Sequence, residues 1–315
     1  MKAFGPVPSR RLGRSLGINN IPPKVCTYAC VYCQLGRTIK MTGQRDAFYP
    51  PEEIVGDVEQ QVARAGKAGE AIDYLTFVPD GEPTLDINLE REIDLLRPLG
   101  IKIAVITNSS LIWQQEVRAA LTKADLVSLK VDSVDDALWR KIDRPHGSLK
   151  LAAILSGVED FARHYRGELV TETLLVKGLN DGDGHLEEVA AFLVRLKPDR
   201  AYLSVPTRPP AEKWVQPPSE IRIHEAYQLF RRRLDNVEYL IGYEGDAFSF
   251  TGDVAEDLLN ITAVHPMREE AVARLLEKAG ADWDVVQRLV EAGQIIKIAY
   301  DARTFYMRKL PGRRD

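Results

Sequence analysis

Cys26, Cys30 and Cys33 are the only cysteines in 315 residues, and they fall together in the run C-T-Y-A-C-V-Y-C. An odd, tightly clustered set is a poor disulfide framework and reads as a metal site in a reducing compartment. Three thiolates at this spacing can ligate three irons of a [4Fe–4S] cube, which usually takes four cysteines, leaving the last iron open to a substrate or cofactor. The competing use is structural zinc, which wants four ligands and would have to recruit a distant histidine such as His146. A second group is Asp80-Gly81-Glu82-Pro83-Thr84-Leu85. Here Gly81 lets backbone approach a ligand closely and Pro83 stiffens the turn, while the exposed carbonyls can accept hydrogen bonds from an ammonium group.

Further polar residues gain meaning from strand periodicity. In Leu126–Asp132, Ser128, Lys130 and Asp132 share one face and Val127, Leu129 and Val131 the other. In a βα barrel the apolar face meets the helices and the polar face looks inward. Lys130 is then either a reactive amine, its pKa lowered by burial, or half of a buried ion pair with Asp132 or Glu172. Asn108, Glu172 and Ser204 lie in or just after other strand candidates and occupy pocket positions. Arg144 and His146 are candidates for an anionic substrate group, with a capped loop as the alternative. Pro8 to Arg14 reads as a solvated basic arm, and His164, His185 and His224 read as surface residues.

The elements that must position these groups alternate. Strand candidates at Ser15–Ile21, Ile72–Val78, Ile101–Thr107, Leu126–Asp132, Leu169–Val176 and Ala201–Val205 are separated by five helical patterns. Six such units predict an α/β fold, a partial parallel (β/α)6 barrel over residues 1–206, with an open doubly wound sheet second. Functional residues then gather at the C-terminal ends of the strands. The proline-rich stretch 207–220 opens a linker and wrapping segment, 207–250, with a helix at Ile221–Leu234, a short strand at Val237–Ile241 and a turn at 242–246. Residues 251–315 predict three helices and a hairpin, a small winged-helix-like domain.

Net charge is −4, so the whole chain carries no electrostatic footprint for nucleic acid. The winged helix's reading helix, Asp282–Glu291, carries three acids and one arginine, and the basic tail (Arg308, Lys309, Arg313, Arg314) compensates only partly, which disfavours DNA. Protein or peptide docking, or a structural role, suits this domain better. No apolar run approaches the roughly 18 residues a membrane helix needs, and no secretory signal is evident, so a cytoplasmic location is expected.

The cysteine loop, with aromatic Tyr32 before its last cysteine, and the G-E-P turn resemble the signatures of the radical S-adenosylmethionine (SAM) superfamily. In the branch grouped with wyosine-base (TYW-type) tRNA-modifying synthases, Gly5 to Gly13 and Arg208 to Glu212 find counterparts as well. The resemblance implies one [4Fe–4S] cluster on Cys26, Cys30 and Cys33, with SAM on the open iron. It implies that Gly81, Glu82 and Pro83 grip the SAM amino group, although Asp80 stands where the pattern has a glycine. Ser128 and Asp132 become candidates for SAM ribose contacts and Lys130 for the SAM carboxylate or the substrate. It further implies reductive cleavage of SAM to a 5′-deoxyadenosyl radical, with a flavodoxin or ferredoxin as electron donor and an RNA base, peptide or small molecule as substrate. The alternatives are an iron–sulfur redox sensor gating the winged helix and an activase for a glycyl-radical enzyme. The chain has no spare cysteine for the second cluster of wyosine synthases.

Overall fold

The computed structural model describes residues 2–241, 245–246 and 248–309. The turn expected at 242–246 and the tail residues Arg313 and Arg314 fall wholly or mostly outside them. In chain order the first half holds β1 (Ala3–Ser9), β2 (Gly13–Ile18), β3 (Val25–Cys26), β4 (Lys40–Met41), α1 (Pro51–Lys67), β5 (Tyr74–Phe77), α2 (Leu89–Leu96), β6 (Lys102–Thr107), α3 (Gln115–Leu121) and β7 (Leu126–Lys130). Next come α4 (Asp136–Ile142), α5 (Leu151–His164), β8 (Glu168–Leu174), α6 (Asp183–Leu196), β9 (Arg200–Ser204), α7 (Glu220–Arg231) and β10 (Val237–Leu240). The remainder is α8 (Val254–Val264), β11 (Met267–Arg268), α9 (Glu269–Ala279), α10 (Asp284–Glu291), β12 (Ile295–Tyr300) and β13 (Arg303–Arg308).

One eight-stranded sheet runs β1-β2-β5-β6-β7-β8-β9-β10 and curls into a partial barrel. Every pairing from β2 onward is parallel, while β1 pairs antiparallel with β2. All six predicted strands are present, and the sheet extends beyond them at both edges. β10, within the segment expected to link and wrap, pairs with β9 and adds a seventh parallel strand. Residues 8–14, expected to be a solvated basic arm, instead end β1 and turn into β2, with Leu12 buried in the turn and Phe4 buried earlier in β1. Prolines at positions 6 and 8 masked β1, and an edge strand is where a sheet tolerates them. The Phe4 ring lies so close over Gly17 that a Cβ there would overlap it, which accounts for a glycine inside a strand.

The main core lies between the sheet and its helices and takes Val127, Leu129 and Val131 from β7 and the loop after it. Helix starts follow ordinary rules: Pro51 opens α1, and Asp135, Ser219 and Asp253 cap α4, α7 and α8 through their side chains. Inside the barrel, Leu12 fills the space among Ala104, Leu126, Val170, Tyr202 and Leu240. The C-terminal part forms three helices and a three-stranded sheet, β11-β13-β12, the element order expected of a winged helix plus a short extra strand. Its core is continuous with the barrel through Phe4 and Val7 of β1. Among the described residues no helix is long and apolar enough to cross a membrane.

Candidate active site

The cysteine loop is clamped from three sides. β3 pairs with β4, and Val25 also bridges Gly81, with the Glu82 amide donating to the Val25 carbonyl at 3.3 Å. A Cβ on Gly81 would overlap that carbonyl oxygen. Gly81 thus permits a close approach to the cysteine loop itself. From the second side the amides of Ala29 and Val31 donate to Asp143 and Ile142, and that of His146 to Thr27. The segment 142–146 thus serves as loop support: Arg144 pairs with Glu212 at 2.6 Å, and His146 meets Ser148 at 2.8 Å. From the third side the 207–220 segment covers the loop, seating Val215 against Val31, Tyr32 and Val176 and passing the Glu212 amide to the Val31 carbonyl.

Each sulfur has a different neighbour. Asn108 Nδ2 donates to Cys26 Sγ at 3.6 Å and to Thr27 Oγ1 at 2.8 Å. Cys30 Sγ donates to Asp143 Oδ1 at 3.3 Å, and Lys24 Nζ lies 3.7 Å from Cys33 Sγ. Burial pushes the Cys26 thiol up to about 12 and the Cys30 thiol well above its ordinary value, so both need a cation beside them to ionise. Among the described residues no three His, Cys, Asp or Glu converge closely enough for a single ion. With no fourth cysteine in the sequence the loop falls short of a four-cysteine zinc site, whereas three thiolates can ligate three irons of a [4Fe–4S] group.

Glu82 ties the turn to the strand ends. Its buried carboxylate accepts from the Thr84 amide and hydroxyl (3.0 and 2.6 Å), the Thr107 hydroxyl (2.6 Å) and the Asn108 amide (2.7 Å). Burial raises its pKa, against the pull of those donors. The Glu82 side chain therefore orients Asn108, which in turn touches Cys26. Pro83 is fixed from behind, its carbonyl accepting from Asn20 Nδ2 at 3.2 Å.

Farther along the barrel interior a second group centres on Glu172. Its carboxylate accepts from Lys130 Nζ (2.9 Å), an Arg11 guanidinium nitrogen (2.6 Å) and the Ser204 hydroxyl (2.7 Å), and Arg11 also donates to Ser128 at 2.9 Å. Burial would raise the Glu172 carboxyl, but Lys130 and Arg11 hold it well below the usual carboxylate range. Burial would likewise depress Lys130, yet Glu172 and Asp132 keep its ammonium charged, so the ion pair forms and the amine is not primed for imine chemistry. Arg11, read as part of a solvated arm, is an interior residue; its partners lie more than a hundred positions away, and no local pattern announces them. Tyr32 and Asp132 bridge the two groups. The Tyr32 hydroxyl bonds Asp132 and, at 3.1 Å, Asp143, while Lys130 lies 5.0 Å over its ring. His185, read as a surface residue, instead contacts the Asp132 carbonyl at 3.1 Å.

The expected site residues thus fall into two sets. Cys26, Cys30, Cys33, Gly81, Glu82, Pro83 and Asn108 form one; Ser128, Lys130, Glu172 and Ser204 form the other, joined through Tyr32 and Asp132. Residues 20–193 of the chain match the profile of the radical SAM superfamily. The chain belongs to that superfamily. Radical SAM proteins use a [4Fe–4S] cluster and SAM, and the three free thiols gathered in one loop fit the cluster. The chain is 48% identical over 99% of its length to a UPF0026 protein of Methanocaldococcus jannaschii, covering 97% of that protein. Its fold resembles a radical SAM methyltransferase from Sphaerobacter thermophilus, with a TM-score of 0.56 and 17% identity, covering 72% of this chain and 66% of that one. It also resembles TYW1 bearing a lysine–pyruvate adduct, with a TM-score of 0.52 and 17% identity, covering 70% and 74%. At such identities the two structures speak for the radical SAM fold alone.

Proposed function

We propose that this radical SAM enzyme reductively cleaves SAM to a 5′-deoxyadenosyl radical and uses it to abstract a hydrogen atom from an organic substrate held inside the barrel. The observation that carries the reading is the chain of contacts from Glu82 through Asn108 to Cys26, which ties the G-E-P turn to the cluster loop. When bound, the cluster supplies the electron that breaks a carbon–sulfur bond of SAM. The chain's own residues do the rest. Glu82 holds Asn108 against the loop, and Tyr32 and Asp132 link that end to the interior charges. Lys130 and Arg11, fixed on Glu172, present cationic hydrogen-bond donors to whatever binds beside them.

The substrate class is an RNA base, a peptide or a small molecule. A flavodoxin or ferredoxin in the cytoplasm is the electron donor. The absence of further cysteines sets the reaction apart from those needing a second cysteine-bound cluster. For the C-terminal domain we favour a structural or protein-docking role over DNA binding, because its core continues into β1. Anaerobic reconstitution with iron and sulfide, then reduction with dithionite in the presence of SAM, should yield 5′-deoxyadenosine and methionine. Protein with a full, reduced cluster that forms neither product would sink the proposal.

A further inference from the structure

Lys24 is a buried lysine that the chemistry above does not use. It sits two residues before Cys26 with a left-handed backbone (φ 62°), which an L-residue adopts only where its surroundings hold it. They do hold it: its amide donates to the Asp80 carbonyl at 2.6 Å, and its own carbonyl accepts from the amides of Ile39 and Lys40. The side chain runs beneath the loop, where Nζ donates to the Gly36 carbonyl at 2.8 Å. The same nitrogen lies 3.6 Å from Asp80 Oδ1 and 3.7 Å from Cys33 Sγ. Both Lys24 and Asp80 are almost wholly shielded from water. Asp80 is also the position at which this chain departs from the glycine of the pattern it resembles.

We infer that Lys24 and Asp80 form a buried charge couple that sets the reduction potential of the iron–sulfur cluster through the Cys33 sulfur. Reduction adds one electron, and so one negative charge, to the cluster. A cation donating toward a ligand sulfur favours the reduced form and raises the potential, and hydrogen bonds to cluster sulfurs act in the same sense. Asp80, 3.6 Å from the same ammonium, offsets part of that field. The two residues therefore pull the potential in opposite directions, and in this dry setting solvent screens them little.

The test is an EPR-monitored redox titration of anaerobically reconstituted protein without SAM, with iron content measured on the same samples. Lys24→Gln should lower the midpoint, so that at the wild-type midpoint the ratio of reduced to oxidised cluster falls about tenfold, equivalent to about 59 mV for a one-electron couple. Asp80→Asn should move it upward, and Lys24→Arg should stay close to wild type. A merely structural role would not produce shifts of opposite sign. If Lys24→Gln fails to retain iron, Asp80→Asn decides: a rise supports the couple, and no change or a fall overturns it. Unchanged midpoints in iron-replete variants, or loss of iron from all three, would also overturn it.

Discussion

Glu82 and Glu172 are both buried carboxylates in the barrel interior, and they are satisfied in contrasting ways. Glu82 is surrounded by neutral donors, two hydroxyls and two backbone amides, all drawn from its own turn and the end of β6. Glu172 is surrounded by two cations and a hydroxyl from β7, β9 and the β1–β2 turn. The first arrangement fixes geometry beside Cys26 without adding a full positive charge near the cluster. The second keeps formal charges ready in the cavity, where an interaction with a polar ligand is strong because water is scarce. One region is built to orient and the other to hold charge.

Four measurements break or sharpen that contrast. The largest effect belongs to the cluster loop: Cys26→Ala, Cys30→Ala or Cys33→Ala should each abolish the cluster absorbance and iron retention, whereas Glu172→Gln should leave both in place. Next, Glu172→Gln leaves Lys130 and Arg11 facing each other without their shared anion. It should lower unfolding free energy by about 3–5 kcal/mol in denaturant titration, with Arg11→Met restoring part of the loss in the double variant. The depressed Glu172 carboxyl also stabilises the fold above the pKa it has when unfolded and loses that contribution as pH falls. Glu172→Gln should therefore flatten the acid limb of a stability–pH curve below about pH 4.5. Glu82→Gln, which turns an acceptor into a partial donor among neutral partners, should cost less, about 1–3 kcal/mol, and should be the one of the two that loosens Asn108 from Cys26.

A further effect concerns Glu92, whose buried carboxyl accepts from Asn20 Nδ2 at 3.3 Å and interacts electrostatically with Asp86 behind the G-E-P turn. Burial, then Asp86, pushes it up to about 9. A raised carboxyl stabilises the folded state while it stays protonated, and that contribution fades as pH climbs from the ordinary carboxylate range through about 9. Glu92→Gln keeps a donor in place at every pH. It should remove this part of the alkaline decline, read as a Tm–pH curve that is flatter than that of the unsubstituted chain as pH rises towards about 9.

The same contrast explains what could be read in advance. The cysteine loop, the G-E-P turn and six parallel strands are local patterns, and alternation along Leu126–Asp132 correctly turned Ser128, Lys130 and Asp132 away from the helices. Arg11 meeting Glu172, 161 positions apart, leaves no such trace. Nor does Lys24 beneath Cys33, where a single lysine before the motif looks like any surface charge. β10 was legible as a strand but not as part of the sheet, because the prolines of 207–220 suggested a break where the chain instead crosses the cluster loop before rejoining the barrel.

The Leu12 plug has a consequence for access. It packs where β5 and β7 begin and shuts that end of the half-barrel with apolar side chains. Traffic to and from the interior is left to the opposite rim, where the strands finish, and to the side between β1 and β10 that no pairing closes.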